Sequence, residues 1–229
     1  MLEDLPRNIS TFGADIDGVM RLIYWICGIW FAVAELLLLY MLVRFRKRPG
    51  QRAAWLPAND LRTQAWVLGP AALVLAFDLY IEHASASAWS RVRIEMPPAD
   101  VLVKITGRQF AWTFTYAGPD GRLNTADDFV GDGRLRVPQN RVVRFQLEAA
   151  DVLHSLWIPN LRLKLDAVPG RSIPGWFQAT DTGTFVLACA ELCGAAHTNM
   201  HTNLQVMTPA AFDEWARSRS TPATATRVP

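Results

Sequence analysis

The stretch Cys189-Ala190-Glu191-Leu192-Cys193-Gly194-Ala195-Ala196-His197-Thr198-Asn199-Met200 concentrates metal-binding side chains. Two thiols, one imidazole and one thioether lie within twelve residues, at spacings of four, four and three. Soft sulfur together with imidazole suits copper, and a long, weak bond to Met is typical of blue-copper sites. A mononuclear site of that kind needs one Cys only. The second thiol therefore allows two thiolates to bridge two copper ions.

This stretch still lacks one nitrogen ligand for the second copper ion. The chain has four histidines. The best candidate is His154 in Asp151-Val152-Leu153-His154-Ser155, because it comes just after an apolar, strand-like run.

Two other interpretations of the cysteine pair compete with copper. Cys189 and Cys193 could form a disulfide. They could also join His154 and His197 in a structural zinc site. Neither alternative explains the whole donor set, because a disulfide needs no histidine and zinc needs no Met200.

The pattern Cys-x-Glu-x-Cys-x3-His-x2-Met with an upstream Asp-Val-x-His-Ser resembles the binuclear copper (CuA) site of cytochrome c oxidase subunit II. The segment 164–171 is also similar, and the likeness covers nearly the whole chain. The resemblance implies two bridging thiolates, two terminal imidazoles, one weak thioether ligand and one weak backbone-carbonyl ligand, which are Cys189, Cys193, His154, His197, Met200 and Glu191.

The resemblance also implies contacts with a partner subunit. In the family, the carboxylate at the position of Glu191 reaches a magnesium ion at the boundary with the catalytic subunit. Asp166 and Arg171 match polar positions near the same boundary. We therefore expect these three residues to face the catalytic subunit.

The aromatic segment departs from the family pattern Gly-x-Gln-Trp-x-Trp. The chain has Gly107-Arg108-Gln109-Phe110-Ala111-Trp112, so Phe110 takes the place of the electron-entry tryptophan. Phe110 and Trp112 are the expected electron-entry residues. Two acidic positions of the family are also replaced here, by Thr63 and Ala150.

The composition of the 229-residue chain fits a membrane protein with a water-exposed part. About half of the residues are hydrophobic (51%), and nine are Trp. A net charge of +2 makes no case for nucleic-acid binding. The sequence has no C-x-x-C-H haem-attachment motif. We therefore expect the electron donor to be a separate protein, which the resemblance implies is a c-type cytochrome.

Two apolar segments, 19–43 and 61–82, predict a transmembrane hairpin, although the second could also be a buried soluble helix. Five basic residues follow the first segment, at Arg44, Arg46, Lys47, Arg48 and Arg52. Such a cluster marks the cytoplasmic side of a membrane, so 44–60 is predicted to be a cytoplasmic loop. The N-terminal segment 1–18 is then exterior, which is the periplasmic side of a bacterial inner membrane.

Short β-rich runs separated by turn residues follow the second helix and predict a β-sandwich. The resemblance narrows this to a cupredoxin domain, predicted over 92–215 on the exterior side. The final segment, 216–229, is rich in Ser, Thr, Pro and Ala and is predicted to be a flexible tail.

The expected architecture is a two-helix transmembrane hairpin followed by an all-β cupredoxin-like sandwich. The resemblance implies an electron-transfer subunit of a terminal oxidase, which passes electrons from CuA to haem in catalytic subunit I for O2 reduction. The chain itself would carry no catalytic residue. Two alternatives remain open, a CuA subunit of a haem-copper nitric oxide reductase and a copper delivery or storage protein.

Overall fold

The computed structural model describes residues 5–52 and 59–220. The chain divides into two units. One is helical and comprises Asp15–Trp89, and the other contains the residues up to Ala14 together with those from Ser90 onward. Parts of the predicted exterior segment, basic loop and tail lie outside the described residues.

The helical unit is built from α1 (Gly13–Arg44) and α2 (Leu61–Trp89). Both helices are long and apolar enough to cross a membrane. They extend beyond the predicted spans 19–43 and 61–82, because apolar composition marks the part that fits a bilayer and leaves the helix ends undetermined. Asp15 in the first turn of α1 suits the positive end of the helix dipole. At the other end, α2 continues into a π-helical turn at Ser90–Ile94.

The described part of the second unit contains ten strands. In chain order they are β1 (Val101–Arg108), β2 (Ala111–Tyr116), β3 (Phe129–Val130), β4 (Leu135–Pro138), β5 (Val142–Ala149), β6 (His154–Ile158), β7 (Leu163–Ala167), β8 (Ile173–Gln178), β9 (Gly183–Cys189) and β10 (His201–Met207). One sheet has the order β3-β2-β1-β5-β8, and the other has the order β4-β10-β9-β6-β7. The prediction of an all-β sandwich is confirmed.

The core of the sandwich follows from the two-residue period of its strands. Side chains alternate between the two faces of a strand, and the inward positions of β1, β2 and β5 carry large apolar residues. Ile105, Phe114 and Phe145 are all buried. Leu156 and Leu187 from the other sheet are buried as well. This core fixes the register of β6 and β9, which carry the candidate ligands.

A third helix, α3 (Pro209–Ser220), follows the last strand. The prediction of a flexible tail from residue 216 is therefore wrong for 216–220. Phe212 and Trp215 lie three residues apart, on one side of α3, and both are buried. The Trp215 ring meets the Tyr116 ring edge-on, with centroids 5.0 Å apart. These aromatic contacts hold the helix against the sandwich, whereas the polar composition alone suggested fraying.

The short segment before α1 belongs to the β-rich unit. Ile9 and Phe12 are 0% and 1% exposed. The N–H of Ile9 donates to the carbonyl of Asn160, and the Ile9 carbonyl accepts from the N–H of Thr180. The Phe12 ring lies edge-on to Trp176, with centroids 5.4 Å apart. Part of the predicted N-terminal segment is thus integrated into the sandwich.

Replacing Phe12 with Ala should destabilise the β-rich unit. The change removes a buried aromatic ring and leaves a cavity, at an expected cost of about 3–5 kcal/mol in the free energy of unfolding. Denaturant unfolding of the full chain in detergent, followed by tryptophan fluorescence, measures this cost. Leu5→Ala is the matched control, because Leu5 is 39% exposed and its truncation should cost less than about 0.5 kcal/mol. Equal effects of the two changes would contradict a core role for Phe12.

Candidate metal centre

The candidate ligands lie mainly on the loop that joins β9 to β10. Strand β9 ends at Cys189, and β10 begins at His201. The two strands are antiparallel, so the loop must leave the sheet and return to the same edge. The N–H of Cys189 donates to the carbonyl of Met200 at 2.9 Å and closes the loop. The first and last predicted ligands of the loop are thereby brought side by side.

The sulfur atoms and the first imidazole converge inside this loop. The Sγ atoms of Cys189 and Cys193 are 3.9 Å apart. Cys193 Sγ lies 3.5 Å from His197 Nδ1 and 3.7 Å from Met200 Sδ. Both cysteines are free thiols, unlike the pair in the disulfide alternative. A short 3-10 turn at His197–Asn199 directs the chain back toward β10.

His154 reaches the same place from β6. Leu156 pairs with Cys189 across the sheet, and the N–H of Ala190 donates to the carbonyl of Ser155 at 2.9 Å. This register puts His154 Nδ1 3.9 Å from Cys189 Sγ. The ligand atoms of His154 and of the two cysteines all lie within 4.8 Å of one another. The residue predicted from a distant part of the chain therefore lies in the cluster.

The carbonyl oxygen of Glu191 also faces the sulfur pair. It accepts a hydrogen bond from Cys189 Sγ at 3.2 Å. All six predicted ligands are thus brought together by the loop and by β6. The cluster is largely shielded from solvent, since His154, Cys189, Cys193 and Met200 are buried, while His197 is half-buried.

Asp151 orients the imidazole of His154. Its Oδ1 lies 2.8 Å from His154 Nε2, so a proton on Nε2 leaves the Nδ1 lone pair facing Cys189. Burial opposes ionisation of Asp151. Hydrogen bonds from the N–H of Gln109, from His154 and from the N–H of Val152 outweigh burial and lower the pKa of Asp151 to about 2. The carboxylate is therefore ionised at neutral pH.

The thiol of Cys193, unlike the Asp151 carboxyl group, resists ionisation. Burial, followed by the neighbouring Cys189, raises the pKa of Cys193 to about 11. The buried cluster disfavours a second uncompensated negative charge. A metal ion that binds here must therefore displace the thiol proton and supply the compensating positive charge.

The chemistry of the donor set fits copper. Thiolate and thioether sulfurs are soft ligands that select copper, whereas structural zinc sites are built from thiolates, imidazoles and carboxylates. Met200 is 1% exposed, and its sulfur lies 3.7 Å from Cys193 Sγ. A buried thioether inside a cluster of two thiols and two imidazoles distinguishes this site from a zinc site.

The two predicted electron-entry residues occupy different positions. Trp112 is buried, and its ring lies near that of His154, with centroids 6.0 Å apart. Phe110 is half-buried. A Cβ atom at Gly194 would lie 3.1 Å from two carbons of the Phe110 ring, so the ring packs against the loop beside Cys193. Phe110 is the one of the pair that connects the loop with the surface.

The predicted boundary residues lie at the surface. Glu191 is half-buried, while Asp166 and Arg171 are exposed. Asp166 sits in β7 opposite Ser155 and pairs with Lys164 at 3.3 Å. The N–H of Arg171 closes a turn by donating to the carbonyl of Val168. Their surface position leaves these residues accessible to another protein.

Sequence reasoning missed Gln109 as a contributor to this site. Its side chain donates to the carbonyl of Cys193 at 2.6 Å, and its backbone N–H donates to Asp151 Oδ2 at 2.8 Å. No local spacing could reveal these bonds, because the partners are 84 and 42 residues away in the sequence. By contrast, the three-residue spacing of Asp151 and His154 was a usable signal.

Comparisons with known proteins agree on one family. A family model described as the periplasmic domain of cytochrome c oxidase subunit II matches residues 118–207. The alternative cytochrome c oxidase subunit 2 of Bradyrhizobium diazoefficiens is 31% identical, over 93% of this chain and 83% of the relative. Cytochrome c oxidase subunit 2 of Thermostichus vulcanus is 29% identical, over 98% of this chain and 81% of the relative.

A solved structure is also similar in sequence. It is the crystal structure of the periplasmic domain of subunit II of cytochrome oxidase from Bradyrhizobium japonicum, which is 33% identical. The alignment covers 55% of this chain and 96% of the solved chain, with a TM-score of 0.49.

Proposed function

The chain belongs to the cytochrome c oxidase subunit II family, and from this premise we propose that it transfers electrons through a binuclear copper centre in its β-rich unit. The observation that carries the proposal is the convergence of two thiols, two imidazoles, a thioether and a carbonyl in one largely buried cluster. The proposed donor is a separate c-type cytochrome. The proposed acceptor is haem in the catalytic subunit of an oxidase that reduces O2.

The proposed ligand roles are those that the family resemblance implies, and the distances within the cluster are compatible with them. Cys189 and Cys193 would bridge the two ions, since each sulfur faces the other and each faces a different imidazole. His154 and His197 would be the terminal ligands. Met200, which faces Cys193, and the Glu191 carbonyl, which faces Cys189, would be the weak ligands. When bound, the copper pair supplies a one-electron redox couple.

The protein itself holds the ligands, excludes water and provides the routes by which electrons enter and leave the centre. Phe110 packs on the loop beside Cys193 and is partly accessible, which supports electron entry through its ring. His197 and Glu191 are each half-buried on the same loop. This supports a contact between that part of the loop and the catalytic subunit, with Asp166 and Arg171 on the same boundary and the Glu191 carboxylate as a ligand of a magnesium ion.

The N-terminal segment supports a periplasmic location of the β-rich unit. Ile9 and Phe12 are packed into the sandwich immediately before α1 begins, and the strands follow α2. Both outer ends of the two helices therefore connect to the same folded unit, as a hairpin requires. The basic residues that follow α1 then lie in the cytoplasm, and the β-rich unit lies on the periplasmic side.

Copper loading of the full chain in detergent tests the proposed function. Two copper ions per chain should bind, and electron paramagnetic resonance should show one unpaired electron shared equally by two copper nuclei. The physical reason is that Cys189 and Cys193 would each offer a thiolate to both ions, which would allow the ions to share the electron. Metal analysis and the hyperfine pattern are the measurements.

A copper delivery or storage protein would give a different result in the same experiment. It would hold a single, exchangeable copper ion with the hyperfine pattern of one nucleus. That pattern, or zinc at full occupancy in the natively purified complex, would overturn the proposed centre. A correct copper pair with no O2 consumption by the purified complex would leave the centre in place and reject the oxidase assignment.

Substitutions should separate strong ligands from weak ones. Cys193→Ser removes a bridging sulfur and should abolish the two-copper signal. Met200→Leu removes a weak thioether contact and keeps a side chain of similar size, so copper should still bind while the reduction potential shifts. Metal content, spectra and potentials of the purified variants measure these effects.

The matched control for the ligand variants is Glu191→Gln. This change keeps the backbone carbonyl and neutralises the carboxylate, so the copper spectrum should match that of the unmodified chain. The effect of the change should appear in a lower rate of electron transfer to the catalytic subunit or in a lower magnesium content. Loss of copper in Glu191→Gln together with a normal copper pair in Cys193→Ser would refute the proposed ligand roles.

The proposed topology can be checked by cysteine labelling in spheroplasts. The starting chain has Cys27, Cys189 and Cys193 replaced by Ser. Arg48→Cys should resist a membrane-impermeant thiol reagent, because the basic loop is cytoplasmic. Val130→Cys is the positive control, since Val130 is 57% exposed in the β-rich unit. If Arg48→Cys were labelled and Val130→Cys were protected, the membrane orientation would be the opposite of the one proposed.

A further inference from the structure

Gln109 lies at the turn between β1 and β2 and touches both segments that carry ligands. We propose that Gln109 is a positioning residue for the metal centre, which fastens the Cys193 peptide to the segment of His154. The inference rests on the proposed copper site for its functional meaning. The contacts themselves involve only residues of this chain.

The first contact is made by the side chain. Gln109 Nε2 donates to the carbonyl oxygen of Cys193 at 2.6 Å, and Cys193 is 4% exposed. Other bonds hold the loop at its ends, where Cys189 bonds to Met200 and Ala190 bonds to Ser155. Gln109 reaches the middle of the loop. It therefore fixes the orientation of the peptide that directly follows the Cys193 side chain.

The second contact is made by the backbone. The N–H of Gln109 donates to Asp151 Oδ2 at 2.8 Å, while Asp151 Oδ1 lies 2.8 Å from His154 Nε2. The carboxylate thus connects the backbone of Gln109 with the imidazole of His154. Through one residue, the thiol of Cys193 and the imidazole of His154 are held in a fixed relation, although Cys193 lies on the β9–β10 loop and His154 lies at the start of β6.

The loop is shaped to accept this side chain. Gly194 has φ of 139°, and a Cβ atom there would lie 2.8 Å from Gln109 Nε2. A residue with a side chain would collide with the amide and would also be strained in this backbone conformation. The glycine after Cys193 therefore makes room for the hydrogen bond from Gln109.

The amide is the chemical requirement at this position. The Cys193 carbonyl accepts, so its partner must carry an N–H or O–H donor. A methionine has a similar length and no such donor. An ionised glutamate has a similar shape and offers only acceptor oxygens. Removing the donor should free the middle of the loop while leaving the backbone bond to Asp151 in place.

The test compares Gln109→Met and Gln109→Glu with the control Thr113→Ala, which alters an exposed position on β2. In the metal-free chain, the labelling rate of Cys193 by a thiol reagent is measured by peptide mass spectrometry. Both Gln109 variants should label about three- to ten-fold faster, as expected when the net contribution of one hydrogen bond is lost. The control should label at the rate of the unmodified chain.

Copper provides the second readout. Loss of a residue that orients ligands typically weakens metal binding about 10- to 100-fold, so both Gln109 variants should release copper to a chelator faster by that factor. Their two-copper hyperfine pattern should also change, which a general loss of stability would not produce. The proposal would be overturned if both Gln109 variants had the same Cys193 labelling rate, copper release rate and spectrum as the unmodified chain.

The two proposals fail in different ways. If the unmodified chain binds no copper pair while the Gln109 variants still expose Cys193, the positioning role stands and the proposed function fails. If the unmodified chain binds the pair and the variants behave like Thr113→Ala, the proposed function stands and the role of Gln109 is rejected.

Discussion

The candidate metal centre depends on the closure of one loop between two antiparallel strands. Residues 190–200 leave β9 and return to β10, and the bond from the Cys189 N–H to the Met200 carbonyl joins their ends. The strands cannot slip, because a shift by one residue would turn their buried side chains to the opposite face. The sandwich core thus fixes the loop ends, and the loop in turn brings its three side-chain donors to Cys189 at the end of β9.

The part of the site that was predictable from sequence is the part that is local. Cys189, Cys193, His197 and Met200 lie within twelve consecutive residues. Their spacing and their soft sulfur donors therefore sufficed to predict copper. His154 required more, since the residues alone made it only the best of four histidines. The resemblance to a known family identified His154 as the second imidazole ligand. The β-sandwich was predictable because alternating runs and turn residues record a two-residue period.

The features that escaped prediction depend on contacts between distant parts of the chain. Gln109 meets Asp151 and Cys193 only after the two sheets have formed. Ile9 and Phe12 lie in a short segment with no periodic pattern, yet both are buried under the sandwich. For 216–220, composition suggested a flexible tail, whereas these residues belong to α3, which Phe212 and Trp215 anchor. Each case shows tertiary packing overriding a local signal that was weak or absent.

The proposed electron transfer works best when the ligands move little as the charge changes, and several contacts around this cluster restrict its side chains. Asp151 holds His154 from behind, and Gln109 holds the peptide after Cys193. Trp112 lies close to the His154 ring, and a Cβ atom at Gly107 would meet both rings at 3.1 Å. Rotation of that imidazole would therefore require displacement of packed groups in a close-packed interior.

His197, which is half-buried, is the less enclosed of the two imidazoles. The two imidazoles therefore differ in their surroundings. His154 is enclosed by the sandwich, whereas His197 lies on the loop, where a partner protein can approach.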